Sequence, residues 1–117
     1  MVAQIEFFEN IRESSLPIIR LTKSKNKTTG TATFIFIRPF VFHLSQNITA
    51  PFKQMSLIWN NKKIITTDIE ILFDKGKPIL IKSVFIFNGN RAQFEFLSFM
   101  QYYSKETGLS FTEIPKQ

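Results

Sequence analysis

Two neighbouring stretches decide the fold of this chain: Pro17-Ile18-Ile19-Arg20-Leu21-Thr22-Lys23-Ser24-Lys25, and Thr29-Gly30-Thr31-Ala32-Thr33-Phe34-Ile35-Phe36. The first is rich in branched residues, and the second alternates threonine or alanine with large apolar residues, as β-strands do. The polar segment between them ends at Gly30, a residue type that adopts backbone angles other residues avoid. The pattern predicts two paired strands joined by a short basic loop. This loop has no histidine, cysteine or carboxylate, so it is better suited to holding a partner than to transforming a substrate.

Further strands are predicted on both sides of this pair by alternating apolar residues with turn-forming residues between them. The predicted strands, including the first pair, lie at residues 4–8, 16–22, 31–37, 55–59, 63–67, 68–73, 79–87 and 109–114. Tight turns are predicted at Asn60-Asn61-Lys62 and Asp74-Lys75-Gly76-Lys77. The strand at 79–87 is apolar on both faces, which is typical of a strand in the middle of a sheet. Residues 10–15 are predicted as a polar connection, and residues 40–52 as a strand followed by a loop.

One α-helix is predicted before the final strand. Asn90 is the expected N-cap, with Gln93 three residues on as in a capping box, and Gly108 is expected to end the helix. Its apolar stripe is formed by Phe94, Leu97, Met100 and Tyr103, and is widened by Phe96 and Phe99. The sequence therefore predicts one α+β domain over residues 1–117. It is an antiparallel β-sheet sandwich with one main C-terminal α-helix packed on the sheet and a short C-terminal strand.

The composition favours a packed domain in which aromatic side chains dominate the core. The chain has 117 residues, of which 44% are hydrophobic and 14 are phenylalanine. This is enough apolar surface to stabilise a single globular unit, and any phenylalanine left outside the core would form a patch for a partner to cover. The chain has no cysteine, which excludes disulfides, thiol catalysis and zinc–thiolate clusters.

Positive charge is concentrated in the first half of the chain. The net charge is +6, yet no acidic residue occurs between Glu13 and Asp68. That segment carries eight basic residues: Arg20, Lys23, Lys25, Lys27, Arg38, Lys53, Lys62 and Lys63. Such asymmetry steers an acidic partner or favours an anionic membrane surface. Lysines that protect strand edges from aggregation explain the same pattern.

The N-terminal residues and the apolar runs bear on location. The first ten residues carry two acids, and they lack both the apolar core of a signal peptide and the acid-poor composition of a transit peptide. No apolar run reaches the length needed to cross a bilayer. We therefore expect a protein that is soluble where it is made.

Residues suited to catalysis are scarce. His43 is the only histidine, and it lies between Phe42 and Leu44 with no acid or nucleophile beside it in the sequence. Asp68 and Glu70 share a strand face, so a paired-carboxylate site is conceivable, but a solvated strand face explains them more simply. No metal-ligand spacing or phosphate-binding glycine loop occurs. The sequence predicts a protein that is not an enzyme and has no catalytic residue, metal or cofactor.

Two kinds of binding remain. The first is strand addition, in which an extended partner segment pairs with an exposed sheet edge at residues 20–25 and 29–33. Residues 110–114 could instead supply the added strand and become ordered only with the partner present. The second is nucleic-acid binding, which a small basic domain with aromatic strands permits. This alternative is weaker because residues 23–27 contain no aromatic side chain for bases to stack on.

The first pair of strands also resembles the Psb28 family of photosystem II assembly proteins. The resemblance continues in register through Met55-Ser56-Leu57 and Phe73-Asp74-Lys75-Gly76-Lys77-Pro78. It includes the helix sequence Phe94-Glu95-Phe96-Leu97-Ser98-Phe99-Met100-Gln101-Tyr102-Tyr103 and the segment Gly108-Leu109-Ser110-Phe111. It implies a non-catalytic assembly factor, peripheral to the thylakoid membrane on the stromal side in a plastid or on the cytoplasmic side in a cyanobacterium.

The same resemblance implies the partners. They are photosystem II core intermediates, namely the antenna subunit CP47, the D-E loop of the D1 subunit and cytochrome b559, with no small-molecule substrate and no nucleic acid. The protein itself is expected to be a monomer, and the implied binding mode extends its sheet with the C-terminal tail of CP47. By motif match, the partner-facing positions are Arg20, Thr22, Lys23, Ser24, Lys25, Gly30, Thr31 and Thr33.

Overall fold

A computed structural model describes residues 3–25, 28–43, 53–109 and 112–115. Within these ranges the chain forms nine strands, one α-helix and one short 3₁₀ helix. In chain order they are β1 (Gln4–Phe8), β2 (Ile11–Arg12), β3 (Ile18–Lys23), β4 (Thr29–Ile37), the 3₁₀ helix (Phe40–His43), β5 (Met55–Trp59), β6 (Lys62–Thr66), β7 (Asp68–Asp74), β8 (Lys77–Asn88), α1 (Asn90–Thr107) and β9 (Thr112–Pro115).

The strands form two sheets. The four-stranded sheet has the order β2-β1-β5-β6, and the five-stranded sheet has the order β7-β8-β4-β3-β9. Every pairing is antiparallel except that of β9, which runs parallel to β3. The predicted α+β sandwich with a C-terminal helix and a short final strand is therefore confirmed. The parallel final pairing was not anticipated, and it makes the larger sheet mixed.

Two tight hairpins were predicted correctly. Asn60 and Asn61 join β5 to β6 with φ of 49° and 63°, and Lys75 and Gly76 join β7 to β8 with φ of 51° and 82°. Positive φ at both central residues is the geometry whose twist matches paired strands. A single residue, Thr67, then separates β6 from β7, so the chain passes from one sheet to the other at this corner.

The core lies between the two sheets and the helix. Phe96 of α1 stacks on Phe85 and Phe87 of β8, with ring centroids 5.8 and 5.6 Å apart, and meets Phe34 edge-on at 6.1 Å. Phe7 and Phe36 make an edge-on contact at 5.1 Å that joins the two sheets. These rings are large and well packed, so they supply much of the apolar burial that stabilises the domain.

The position of β8 confirms one prediction and corrects its reason. β8 lies between β7 and β4, in the interior of the sheet as expected. Its inner face is buried at Ile81, Ser83 and Phe87, but Ile86 on the opposite face is 66% exposed. Only one face of β8 is fully covered, so the apolar residues on the opposite face do not reflect burial on both sides of the sheet.

The helix differs from the prediction in two respects. Gly89, with φ of 98°, is the N-cap in place of Asn90, and no side chain caps this end. The buried residues are Phe96, Phe99, Met100 and Tyr103, whereas Phe94 is 69% exposed. The predicted stripe is therefore confirmed at these four residues and wrong at Phe94, while Leu97 packs partly buried against the core. Gly108 ends the helix with φ of 77°, as predicted, and donates its N–H to the carbonyl of Ser104.

Two connecting segments also differ from the sequence-based expectation. The polar connection at 10–15 includes the two-residue strand β2. The strand expected from residue 40 is the 3₁₀ helix Phe40–His43, since Pro39 precedes it and cannot donate to a ladder. The rest of that prediction, at residues 44–52, lies outside the described residues.

Candidate partner-binding surface

The β3–β4 hairpin positions all eight residues predicted to face a partner. Six register pairs join the strands, among them Arg20 with Thr33, Thr22 with Thr31 and Lys23 with Gly30. The connection closes through a hydrogen bond from the Ser24 N–H to the Thr29 carbonyl, at 2.8 Å between N and O. The Ser24 hydroxyl also accepts a hydrogen bond from the Thr29 N–H at 3.3 Å. The sequence motif is therefore one continuous structural unit.

The predicted residues divide between the two faces of this hairpin. Arg20, Thr22, Thr31 and Thr33 alternate with the buried residues Ile19, Leu21, Ala32 and Phe34. Successive residues of a strand point to opposite faces, so these four lie on the side of the sheet turned away from the core. Lys23 and Gly30 lie at the end of the other face, while Ser24 and Lys25 lie at the tip of the hairpin.

Gly30 is needed because there is no space for a side chain at this position, and not because its backbone adopts angles that other residues avoid. Its backbone does not adopt the positive φ seen at Gly76 and Gly89. A Cβ atom built on Gly30 would instead lie 2.8 Å from Cζ of Phe87 and would also overlap the carbonyl oxygen of Thr22. Any side chain at this position would push β4 away from β3 and β8, so Gly30 allows the basic hairpin to lie close against the core.

The side of the five-stranded sheet turned away from the core is here called the outer face. Register pairs extend it from β3 and β4 across β8 to β7, for example Thr31 with Ile86 and Glu70 with Lys82. Its described members are Ile18, Arg20, Thr22, Thr31, Thr33, Ile35, Ile37, Asp68, Glu70, Leu72, Leu80, Lys82, Val84 and Ile86. None of them is fully buried.

The outer face carries exposed apolar residues that were not singled out from the sequence. Ile86 is 66% exposed, Ile37 60% and Ile18 48%. Isoleucine at strand positions is normally read as core, so composition gave no signal of their exposure. Exposed apolar residues beside threonine hydroxyls and cations are typical of a surface that docks another protein.

The residue types on the outer face also test the alternative that the protein binds nucleic acid. The members named above include no aromatic residue, and the exposed rings of Phe94 and Tyr102 belong to α1. Proteins that bind single strands stack bases on aromatic side chains within a basic groove. The described part of this basic surface offers cations without a stacking platform, which weighs against that alternative.

The sheet edges are the other feature that a strand-adding partner would use. β3 is paired on both sides, with β4 along one edge and β9 along the other. Residues 112–114, the described part of the segment 110–114 that was considered as a strand ordered only by a partner, pair with β3 of the same chain. The edge of β3, expected to be exposed, is therefore covered by β9. Within the described residues the unpaired outer edges belong to β7 and β9 in the larger sheet and to β2 and β6 in the smaller one.

The residues considered for catalysis do not form a site within the described ranges. His43 is exposed at the end of the 3₁₀ helix. Asp68 and Glu70 share the outer face as predicted, and both are exposed, with Glu70 opposite Lys82. No three metal-ligating side chains come together in the described part of the chain. This geometry favours the interpretation that the two carboxylates are simply exposed to solvent on the strand face.

Among the described residues, Tyr103 has a strongly shifted pKa. Burial raises the pKa of the Tyr103 phenol to about 12, although Arg12 opposes the shift and Glu13 adds to it. Tyr103 stacks on Phe99 at 5.3 Å between ring centroids, inside the core. Tyr103 belongs to α1 and is 2% exposed, so the shift of its pKa reflects burial in the core.

No α-helix in the described ranges combines the length and apolarity of a bilayer-spanning helix.

Comparison of the sequence with known proteins identifies the family to which the chain is similar. The family model described as Psb28 protein matches residues 5–111. The chain is 36% identical over 112 residues to a Guillardia theta protein, with 96% of this chain and 97% of the relative covered. It is 34% identical over 113 residues to a relative from Thalassiosira pseudonana, covering 97% and 99%. A relative from Gloeothece citriformis is 37% identical over 114 residues, covering 96% and 99%. All three relatives are named Photosystem II reaction center Psb28 protein.

Proposed function

This chain belongs to the Psb28 family, and we propose that it is a non-catalytic accessory factor that binds transiently to immature photosystem II core complexes. The proposal is supported by the names of its relatives, which place them with the photosystem II reaction center. The observation that carries it is the uncovered outer face of the five-stranded sheet, beside a hairpin that presents cations and hydroxyls. Such a surface can bind another protein without any reacting group.

We place the partner-binding site on the β3–β4 hairpin. Its proposed members are the eight residues of the motif: Arg20, Thr22, Lys23, Ser24, Lys25, Gly30, Thr31 and Thr33. The threonines on the outer face supply short hydroxyls, and Arg20 supplies a guanidinium that pairs with carboxylates through two parallel hydrogen bonds. Lys25 is exposed at the hairpin tip and adds positive charge. These groups fit an acidic or carbonyl-rich protein segment.

The charge distribution supports a membrane-side location for this encounter. Eight basic residues and no acidic residue occur between Glu13 and Asp68. A positive field of this kind accelerates association with an acidic surface and is screened over about 10 Å at about 0.1 M salt. We propose a peripheral position at the thylakoid membrane, on the stromal side in a plastid or the cytoplasmic side in a cyanobacterium.

The proposed partners are CP47, the D-E loop of the D1 subunit and cytochrome b559, and the proposed contact with CP47 is addition of its C-terminal tail as a strand. In strand addition, the partner segment forms backbone hydrogen bonds with a sheet edge, and its alternate side chains determine specificity. This mode of binding requires no catalytic group. We propose that the protein acts as a monomer without a bound cofactor.

A pull-down from solubilised thylakoids tests this function. Tagged wild-type protein is expected to recover an immature photosystem II core that contains CP47. A variant with Arg20→Glu and Thr33→Glu, which replaces the positive charge of one register pair of the outer face with two negative charges, is expected to recover several-fold less. Recovery of ribosomes or RNA in place of photosystem II subunits, or equal recovery by both proteins, would contradict the proposal.

A further inference from the structure

The final strand occupies the edge of the hairpin that the proposed function requires. β9 pairs in parallel with β3, placing Thr112 opposite Arg20, Ile114 opposite Thr22 and Pro115 opposite Lys23. β9 is also the outermost strand of its sheet. The backbone edge beside the proposed partner-facing residues is therefore already filled by the chain's own C-terminal segment.

The pairing of β9 is the weakest in this sheet, for three reasons. It spans four residues, whereas the antiparallel pairing of β3 with β4 spans six register positions. Parallel ladders are slightly less stable per residue than antiparallel ones. Pro115 stands at the last register position and has no N–H to donate. A short, parallel, proline-ended strand at a sheet edge can be released while the rest of the domain stays folded.

We propose that the edge of β3 is a strand-exchange site, filled by β9 in the free protein and by an extended segment of the partner protein in the complex. This inference rests on the proposed function, which supplies the partner. β9 shows what the edge accepts, namely four extended residues in parallel register with β3. β3 itself carries two cations, Arg20 and Lys23, and no acid, so an extended partner segment with acidic residues complements this edge.

The unpaired edges at β7 and β6 fit this occupant less well. β7 carries Asp68, Glu70 and Asp74, whose carboxylates repel an acidic segment. β6 begins with Lys62 and Lys63, but it belongs to the smaller sheet and does not border the partner-facing residues. Charged residues on both edges are typical protection against unwanted strand pairing. Among the described strands, only the edge of β3 both borders the proposed contact residues and pairs with a short strand that can be released.

Exchange makes β9 a regulator of affinity. The partner can pair only with molecules in which β9 is released, so its apparent dissociation constant rises as that fraction falls. If about one molecule in ten has the edge free, the partner binds about tenfold more weakly than to a permanently open edge. Fixing β9 on β3 is expected to weaken partner binding, and releasing it is expected to strengthen binding.

A reversible cross-link tests the exchange, since the natural chain has no cysteine. Thr22→Cys and Ile114→Cys place the two thiols at one register pair, and the spacing of adjacent strands, about 5 Å, lies within the range of a disulfide. The oxidised protein is expected to bind photosystem II cores at least tenfold more weakly than the same protein after reduction. The single variant Ile114→Cys, which lies outside the proposed contact residues and is treated identically, controls for oxidation. Equal binding by the oxidised and reduced forms would overturn the proposal and place the partner at another edge.

A second measurement separates this inference from the proposed function. Ile114→Pro removes an N–H from the middle of β9 in the full-length chain and so favours release. A labelled synthetic peptide of residues 109–117 is expected to bind this variant about tenfold more tightly than the wild type, and not to bind the oxidised cross-linked protein. Failure of the peptide to discriminate among these proteins refutes exchange at β3. If the peptide discriminates while no form of the protein binds photosystem II cores, the proposed function fails instead.

Discussion

The Glu13 carboxylate accepts a hydrogen bond from the backbone N–H of Val41, with 3.0 Å between Oε1 and N. The other oxygen, Oε2, accepts from the N–H groups of Phe40 at 2.8 Å and Ser15 at 3.0 Å. Glu13 is only 3% exposed, so a side chain from the β2–β3 connection supplies acceptors to the start of the 3₁₀ helix. The corner that follows β4 thereby depends on one buried carboxylate located 28 residues before Val41.

Glu13→Gln is expected to destabilise the protein by about 2 to 3 kcal/mol, because an amide loses one acceptor and turns a donor toward backbone N–H groups. Urea unfolding monitored by circular dichroism measures this change. Glu9→Gln serves as the matched control because Glu9 is exposed, and it is expected to change stability by less than about 0.5 kcal/mol. Equal stability of the two variants would show that the carboxylate is not needed at the corner.

Reversing the charge at the hairpin, with Lys23→Glu and Lys25→Glu, is expected to weaken association with thylakoid membranes several-fold. The physical reason is loss of attraction to an acidic partner, and raising the salt concentration should weaken wild-type association as well. Cosedimentation with thylakoids measures the effect. Lys62→Glu with Lys63→Glu makes the same charge change on β6 of the other sheet and is expected to weaken association far less. If both double variants lost membrane association to a similar extent, association would depend on the net charge of the protein and not on the hairpin.

Gly30→Ala is expected to cost about 1 to 3 kcal/mol, because the added Cβ overlaps Phe87 and the Thr22 carbonyl. The thermal midpoint and the urea midpoint should both fall. Gly76→Asn provides the comparison, since no atom lies within 4 Å of a Cβ at Gly76 and asparagine tolerates its positive φ. That control should stay within about 0.5 kcal/mol of the wild type. A neutral Gly30→Ala would mean that β3 and β4 are not held as closely as described.

Phe96→Ala is expected to cost about 3 to 5 kcal/mol, since it removes a buried ring that contacts Phe34, Phe85 and Phe87. Phe94→Ala on the same helix should change the free energy of unfolding by less than about 0.5 kcal/mol, because Phe94 is 69% exposed. Chemical denaturation of both variants under identical conditions gives the comparison. A larger loss of stability in Phe94→Ala than in Phe96→Ala would mean that the helix packs on the sheet through a different face.

The buried Tyr103 predicts a loss of stability at alkaline pH. The pKa of its phenol is raised in the folded protein to about 12, above the unfolded value of 10.0, so the folded state holds the proton more tightly. The resulting stability is fully present below pH 10 and is lost as the pH rises toward about 12. Ultraviolet titration of a Tyr102→Phe variant isolates the Tyr103 phenol, and unfolding experiments should show less alkaline destabilisation in Tyr103→Phe. A midpoint of the Tyr103 titration near 10 would contradict its burial.

The sequence determined most of the strands, the tight turns, the end of the helix at Gly108 and the family, but it missed β2 and predicted a strand where the 3₁₀ helix begins. These features depend on local chemistry, such as alternation along β3 and β4 or the tolerance of Asn60 and Asn61 for positive φ. The motif resemblance likewise needed only the order of residues. The eight proposed contact residues were placed in one hairpin for the same reason, although their role in binding stays a prediction.

Only the tertiary structure decided which faces and edges are covered. Apolar residues surround so much of the helix that periodicity could not choose between Phe94 and Phe96, and packing against β8 settled the choice. The same holds for the exposure of Ile86, the steric role of Gly30 and the parallel pairing of β9 with β3. Each of these depends on contacts between residues distant in sequence, and local propensity carries no information about what lies across a sheet.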